Sequence, residues 1–286
     1  MSAVTTTVAA AEGAAAVVYR YAAGVEYCGT AYHGYQTQHN ELPTIQARLQ
    51  SALGKVAGGG QLAVNGAGRT DTGVHACEQI IHFDSPVVRP VDAWLYGANS
   101  YLPRDISLLW VKQVDEGFDA RFSARRRRYR YIFYPSPIRP ALLRHELTWT
   151  YKQLDVTLMH QAAQLLQGRH DFSSFRASEC QAKTAIKTIE AVAVQQCGRY
   201  VVLDVLADGF LHHMVRNIAG TLLMVGAGER PVQWVSEVLA ARQRSVAGVT
   251  APASGLYMVR VDYPPEYAMP HVPLGPHFLA GMPDVF

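Results

Sequence analysis

Hydrophobic positions along this chain follow two periods, and the order in which the periods alternate predicts an architecture. Apolar alternation over 18–26 predicts a strand. A helix is expected over 43–57, where Pro43 opens a segment with Ile45, Leu49, Leu53 and Val56 on one face. Short strands near 62–67 and 79–83 flank a glycine-rich loop, a helical stretch covers 91–98, and "ISLLWVKQV" reads as a strand at 106–114. The same order then returns. A strand at 128–135 precedes an amphipathic helix at 153–166, and "TIEAVAVQQ" with "YVVLDVLA" forms a hairpin across Cys197–Gly198–Arg199. A helix over 210–225, an extra one over 231–242 and a strand over 256–263 complete the second set.

Two copies of β-α-β-β-α-β, the ferredoxin-like or RRM-like unit, predict an α+β protein with a pseudo-twofold relation. Its strands are expected to join in a mixed, largely antiparallel sheet with a central cleft. The reading divides the chain into a low-complexity tail at 1–16, an N-terminal half at 17–117 carrying the glycine loop, and a C-terminal half at 118–286. The proline-rich end from residue 264 is expected to run as extended chain.

Composition narrows the class. Hydrophobic residues make up 49% and charged residues 17% of 286 positions, ordinary values for a soluble globular protein. No apolar run reaches the roughly 18 residues that a membrane helix needs. Residues 1–16 hold no Lys or Arg, so a signal peptide's basic start is missing. Cys28, Cys77, Cys180 and Cys197 form no C-x-x-C pair, which argues against structural zinc and a disulfide framework and for a cytoplasmic setting.

A net charge of +3 names no partner, but its distribution does more. Residues 121–130, "RFSARRRRYR", hold six arginines and no acid. A charge run is commonly a solvated face. This one leads directly into an aromatic strand, and cations interleaved with rings suit phosphates and bases.

The passage "NGAGRTDTGVHA" at 65–76 carries the chemistry, with Gly66, Gly68 and Gly73 around a single acid, Asp71. Its glycine spacing fits neither G-x-G-x-x-G nor a P-loop, which excludes a nucleotide-cofactor loop. An Asp in a turn often serves only the turn. That reading leaves Arg69 unexplained, two residues away and on the same side of an extended segment, where a guanidinium favours the ionised carboxylate. Asp71 is therefore suited to nucleophilic or basic work. In "FLHHMVRN" at 210–217, His212 and His213 would point about 100° apart on a helix, so a shared metal ion is not expected. Arg216 lies one turn after His212 and shares its face. Tyr129 and Tyr131 alternate with Arg128 and Arg130, placing rings and guanidiniums on opposite faces of a strand.

Together "YCGTAYHGYQTQ" (27–38), "VNGAGRTDTGVHA", "ARFSARRRRYRYIFY", "DFSSFRA" (171–177), "FLHHMVRNIAGTLLMVG" and "GLYMVRVDYP" resemble, in order, the motifs of the TruA family of tRNA pseudouridine synthases. The resemblance covers about residues 18–280, with Tyr35 where that family commonly has Trp and Thr72 where it commonly has Ala. It implies isomerisation of uridine to pseudouridine at positions 38, 39 and 40 of the tRNA anticodon arm, by a homodimer, with no cofactor and no metal. It implies that Asp71 is the catalytic carboxylate, that Tyr129 stacks on the target base, and that Arg216 pairs with the aspartate. Arg69 would hold the place of the flipped nucleotide and Leu256 would line the apolar side of the pocket. Arg125, Arg126, Arg127 and Arg128 are the expected contacts to the RNA backbone. The rivals are a catalytically silent RNA-binding protein, which would need neither Asp71 nor Arg216, and a hydrolase using Asp71.

Overall fold

The computed structural model describes residues 18–38 and 42–286, so the expected tail at 1–16 lies outside the described residues. The N-terminal half contains β1 (Tyr19–Tyr27), α1 (Ile45–Ala57), β2 (Val64–Gly66), β3 (His75–Ser85), α2 (Val91–Tyr101) and β4 (Ile106–Gln113). The C-terminal half contains β5 (Arg126–Pro135), β6 (Thr148–Thr150), α3 (Val156–Gln164), β7 (Gly168–Asp171), β8 (Ile186–Cys197) and β9 (Tyr200–Ala207). After these come α4 (Met214–Gly226), α5 (Trp234–Ala241) and β10 (Leu256–Asp262). Capping explains two helix starts, since the Thr44 hydroxyl accepts from Ala47 N–H and the Asp155 carboxylate accepts from Leu158 N–H.

The ten strands form one sheet in the order β4-β1-β3-β10-β5-β9-β8-β7, with β2 on β3 and β6 on β5. Within the N-terminal half the fourth strand lies beside the first, and the third lies between the first and the second. The C-terminal half repeats this pattern as β10-β5-β9-β8. The duplicated unit read from the sequence is thus present in the topology. The halves meet where β10 pairs parallel to β3 through Tyr257 with His75 and Met258 with Ala76. All other pairings except β5 with β6 are antiparallel.

Alternation along the strands sorts side chains to two faces. One face carries Tyr129, Tyr131 and Met258 into the large core shared by both halves. The other carries Cys77, Ile132, Tyr257 and Val259 under Leu274, Phe278, Leu279 and Met282 of the proline-rich end. Two short strands, β6 and β7, were not expected, because three or four residues carry too little periodicity to stand out. The helix expected from 210 begins at Met214, and His213 precedes it in the left-handed region at φ 61°.

Two buried histidines tie the halves to the sheet as acceptors. Gly29 N–H donates to His75 Nδ1 at 3.2 Å, and Ala120 N–H donates to His82 Nδ1 at 3.0 Å. Protonating either nitrogen would set one N–H against another. Burial accordingly holds both imidazoles below the ordinary histidine value. The unfolded chain takes up protons at these rings near pH 6.5, before the folded chain does, so stability is lost as pH falls below that value. The thermal midpoint is expected to drop between about pH 7.5 and about pH 5.5, before most carboxylates titrate. An unchanged midpoint would mean that these rings bind protons equally well in both states.

Candidate active site

The glycine loop crosses the seam between the halves, from the end of β2 to the start of β3, and its backbone is fixed on several sides. Tyr35 N–H donates to Thr70 O at 3.0 Å, Gln79 Nε2 to Gly68 O at 2.7 Å, and Arg127 Nη2 to Ala67 O at 3.1 Å. The Tyr27 and Thr70 hydroxyls are 2.8 Å apart, and Val74 N–H closes a turn onto Asp71 O. The glycines serve this packing. A Cβ on Gly66 would lie 2.6 Å from the Tyr35 ring, and Gly73 adopts φ +78°. Glycines at such a loop commonly let a ligand approach the backbone closely. At Gly66 the close neighbour is instead the protein's own tyrosine.

The turn raises the Asp71 carboxylate into a cleft of about 1760 Å³, which Arg69, Tyr129, Arg216 and Leu256 also line. All five residues expected at the substrate therefore share one cavity, although they come from a loop, two strands and a helix. Asp71 remains 23% exposed, and three side chains converge on it. Arg216 Nη1 lies 3.3 Å from Oδ2, His213 Nε2 lies 3.3 Å from the same oxygen, and His212 Nε2 lies 3.3 Å from Oδ1. Arg216 is aimed by a second bond, from its Nε to Ala251 O at 2.8 Å. The cation expected beside Asp71 from sequence proximity, Arg69, makes no ion pair with it among the described residues. Arg69 is exposed on the cleft wall instead.

Sequence reasoning missed the two histidines. It placed them on a helix, where neighbours diverge. The left-handed backbone at His213 instead brings both rings to one carboxylate, with centroids 4.0 Å apart. Burial holds the His213 imidazole below its ordinary value against the pull of Asp71, whose Oδ2 lies 3.3 Å from Nε2. Asp71, His212 and His213 could together hold a metal ion by spacing alone. The Arg216 guanidinium already occupies the same carboxylate oxygen with positive charge. The group is better suited to holding a carboxylate in place than to binding a cation.

Tyr129 closes the inner wall, with its ring edge-on to Phe210 at 5.0 Å. Burial pushes its hydroxyl well above the ordinary tyrosine value, so it is protonated at neutral pH. Leu256 is buried at the start of β10.

The arginine run is divided between surface and interior, and burial corrects the expected row of backbone contacts at Arg128. Arg128 is buried and bidentate to Asp204 at 2.7 and 2.8 Å, with a further bond to Asp284. A guanidinium so enclosed cannot reach a phosphate. Arg127 is spent on backbone carbonyls of Ala67, Arg121, Ala124 and Asp208 and so braces the glycine loop. Arg126 is half exposed and pairs with Asp262 and Glu190, and Arg125 is exposed with no side-chain partner among the described residues. A charge run in sequence does not show which of its members the C-terminal segment will cover.

A doubled ferredoxin-like sheet raises one carboxylate into a cleft of rings and guanidiniums, and comparison with known proteins gives the class, an isomerase acting on tRNA. The sequence profile of the family described as "tRNA pseudouridine synthase" matches residues 23–123 and 162–264, and the chain belongs to that family. It is 53% identical to the tRNA pseudouridine synthase A of Pseudomonas aeruginosa over 97% of both chains. The corresponding proteins of Aeromonas hydrophila and Acinetobacter baumannii are 52% and 47% identical over 91% of this chain, covering 96% and 98% of their own lengths. Among the described residues no helix is long and apolar enough to cross a membrane.

Proposed function

We propose that the protein converts uridine to pseudouridine at positions 38, 39 and 40 of the tRNA anticodon arm, with Asp71 as its catalytic carboxylate. The observation that carries this reading is the Asp71 carboxylate, oriented by Arg216 and two imidazoles and open to a cleft that Tyr129 and Leu256 also line. The reaction breaks the C1′–N1 bond and joins C1′ to C5. C5 loses its proton and N1 gains one, so composition is unchanged. A stacked base cannot rotate in this way, and flipping it out costs a few kcal/mol. The Tyr129 ring offers the extruded base a stacking surface worth roughly 1–3 kcal/mol. Leu256 supplies an apolar side, and Arg69 on the exposed wall takes the position the nucleotide leaves. Arg125 and Arg126 remain available to phosphates.

A silent RNA-binding protein has no need for a carboxylate held in an open cleft, and a hydrolase would release free uracil. Unmodified tRNA incubated with the protein in buffer containing EDTA is therefore expected to gain pseudouridine at those three positions, with no uracil released. Mapping the modified nucleosides checks this. Unmodified product, or modification confined to other positions, would refute the assignment. The protein is expected to act as a homodimer, which sedimentation equilibrium reads directly.

A further inference from the structure

The cleft has an exposed aromatic group that the chemistry at Asp71 does not use. Phe122 lines the same cavity as Asp71 and Tyr129 yet is 81% exposed, whereas Tyr129 and Tyr35 on its walls are buried. Other apolar side chains, such as Leu142 and Ile138, are as exposed, but Phe122 is the one that also lines the cleft holding Asp71. It is not on a loose loop. The Asp119 carboxylate accepts from Arg121 N–H at 2.8 Å and Phe122 N–H at 2.9 Å, and Ser123 N–H donates to Asp119 O at 2.9 Å. The Ser123 hydroxyl accepts from Asp119 N–H at 3.0 Å, and Tyr263 donates to Ala120 O at 2.6 Å. Arg127, which braces the glycine loop, also donates to Arg121 O at 2.8 Å. The backbone that leads into Phe122 and the loop that carries Asp71 are thus held by one guanidinium. The Arg121 guanidinium lies over the Phe122 ring, 5.4 Å from its centroid, and the ring's exposure leaves its other side open.

We propose that Phe122 is a stacking subsite for an unpaired base of the RNA substrate other than the uridine undergoing isomerisation, with Arg121 backing the ring and meeting the adjoining phosphate. The proposal rests on the functional reading above and extends it to a second nucleotide. A rigid, cation-backed aromatic face accepts any base, because every base has a π-face, and it loses little conformational freedom on binding. Tyr129, deep in the cleft, takes the flipped base, and Phe122, at its solvent-open side, holds a neighbour. Together they fix the register of the strand over Asp71.

The test uses the full-length protein, tRNA, and an anticodon arm carrying 2-aminopurine in place of single loop bases. Wild type is expected to quench the fluorophore at one loop position. Phe122→Ala is expected to lose that quench and raise KM for tRNA about 5- to 150-fold, the range of one base–aromatic stack. The rate constant at saturation and the thermal midpoint should stay near wild type, as the ring is exposed and remote from bond making. Phe122→Trp should keep both quench and KM, whereas Phe122→Leu, apolar without a π-face, should behave like Ala. Arg121→Gln should flatten the salt dependence of binding, and Phe122→Ala should leave that slope unchanged. Wild-type KM and quench in Phe122→Ala, or full function in Phe122→Leu, would overturn the proposal. A wild-type protein that quenches the fluorophore but forms no pseudouridine would sink the functional reading and leave the stacking subsite standing.

Discussion

Asp71→Asn is expected to abolish pseudouridine formation while leaving the fold and the affinity for tRNA largely intact. The amide matches the carboxylate in size but carries no charge. Attack on C1′, addition to the base and removal of the 2′ proton all require the ionised carboxylate, so the substitution stops each of them. The surroundings tolerate the change. Arg216 keeps its bond to Ala251 O, and the three groups facing Asp71 are partly solvated. Turnover should fall by more than about a hundredfold, as for other groups that act only in the transition state. Single-turnover rates set beside tRNA binding by filter retention separate the two effects. A residual rate above about a hundredth of wild type would remove Asp71 from the chemistry.

Asp204→Ala should have the largest effect on stability, without touching the cleft. Asp204 is fully buried on β9 and accepts from Arg128 Nε at 2.7 Å, Arg128 Nη2 at 2.8 Å and Arg130 Nε at 2.8 Å. Both guanidiniums are almost wholly enclosed. Removing the acid leaves two buried cations with reduced compensation, Asp284 for Arg128 and the Gly275 carbonyl for Arg130. Breaking a buried pair from one side costs about 3–5 kcal/mol, a large share of the roughly 5–15 kcal/mol that holds a domain together. The urea midpoint should fall accordingly, while the rate per folded molecule stays near wild type. A loss below about 1 kcal/mol would mean that the C-terminal segment moves and lets water reach the arginines.

The fate of Arg128 also shows where sequence reasoning stops. Strand alternation correctly separated Tyr129 and Tyr131 from Arg128 and Arg130, because the side-chain period is a property of the backbone itself. Whether the arginine face met water or protein depended on a carboxylate on another strand and on residues 272–286 folding over it. No local pattern encodes that. Arg127 differs in the same way, since it reads as one of a basic run and acts as a brace for the loop that holds Asp71.

The sequence by itself determined the order of elements, the duplicated β-α-β-β-α-β unit, and Asp71 as the one acid in a loop unsuited to phosphates. Each of these follows from local spacing, where period and turn chemistry act within a few residues. Only the tertiary structure decided how the halves join, and with that which groups meet Asp71. The seam is two residue pairs between β10 and β3, too short to leave a pattern in either strand. The convergence of His212, His213 and Arg216 on one carboxylate turns on a single left-handed residue before α4. A backbone angle of that kind, held by packing around a non-glycine residue, has no signature in sequence, so the two imidazoles beside Asp71 became visible only once the chain was folded, whereas Arg216 was expected there from the family resemblance.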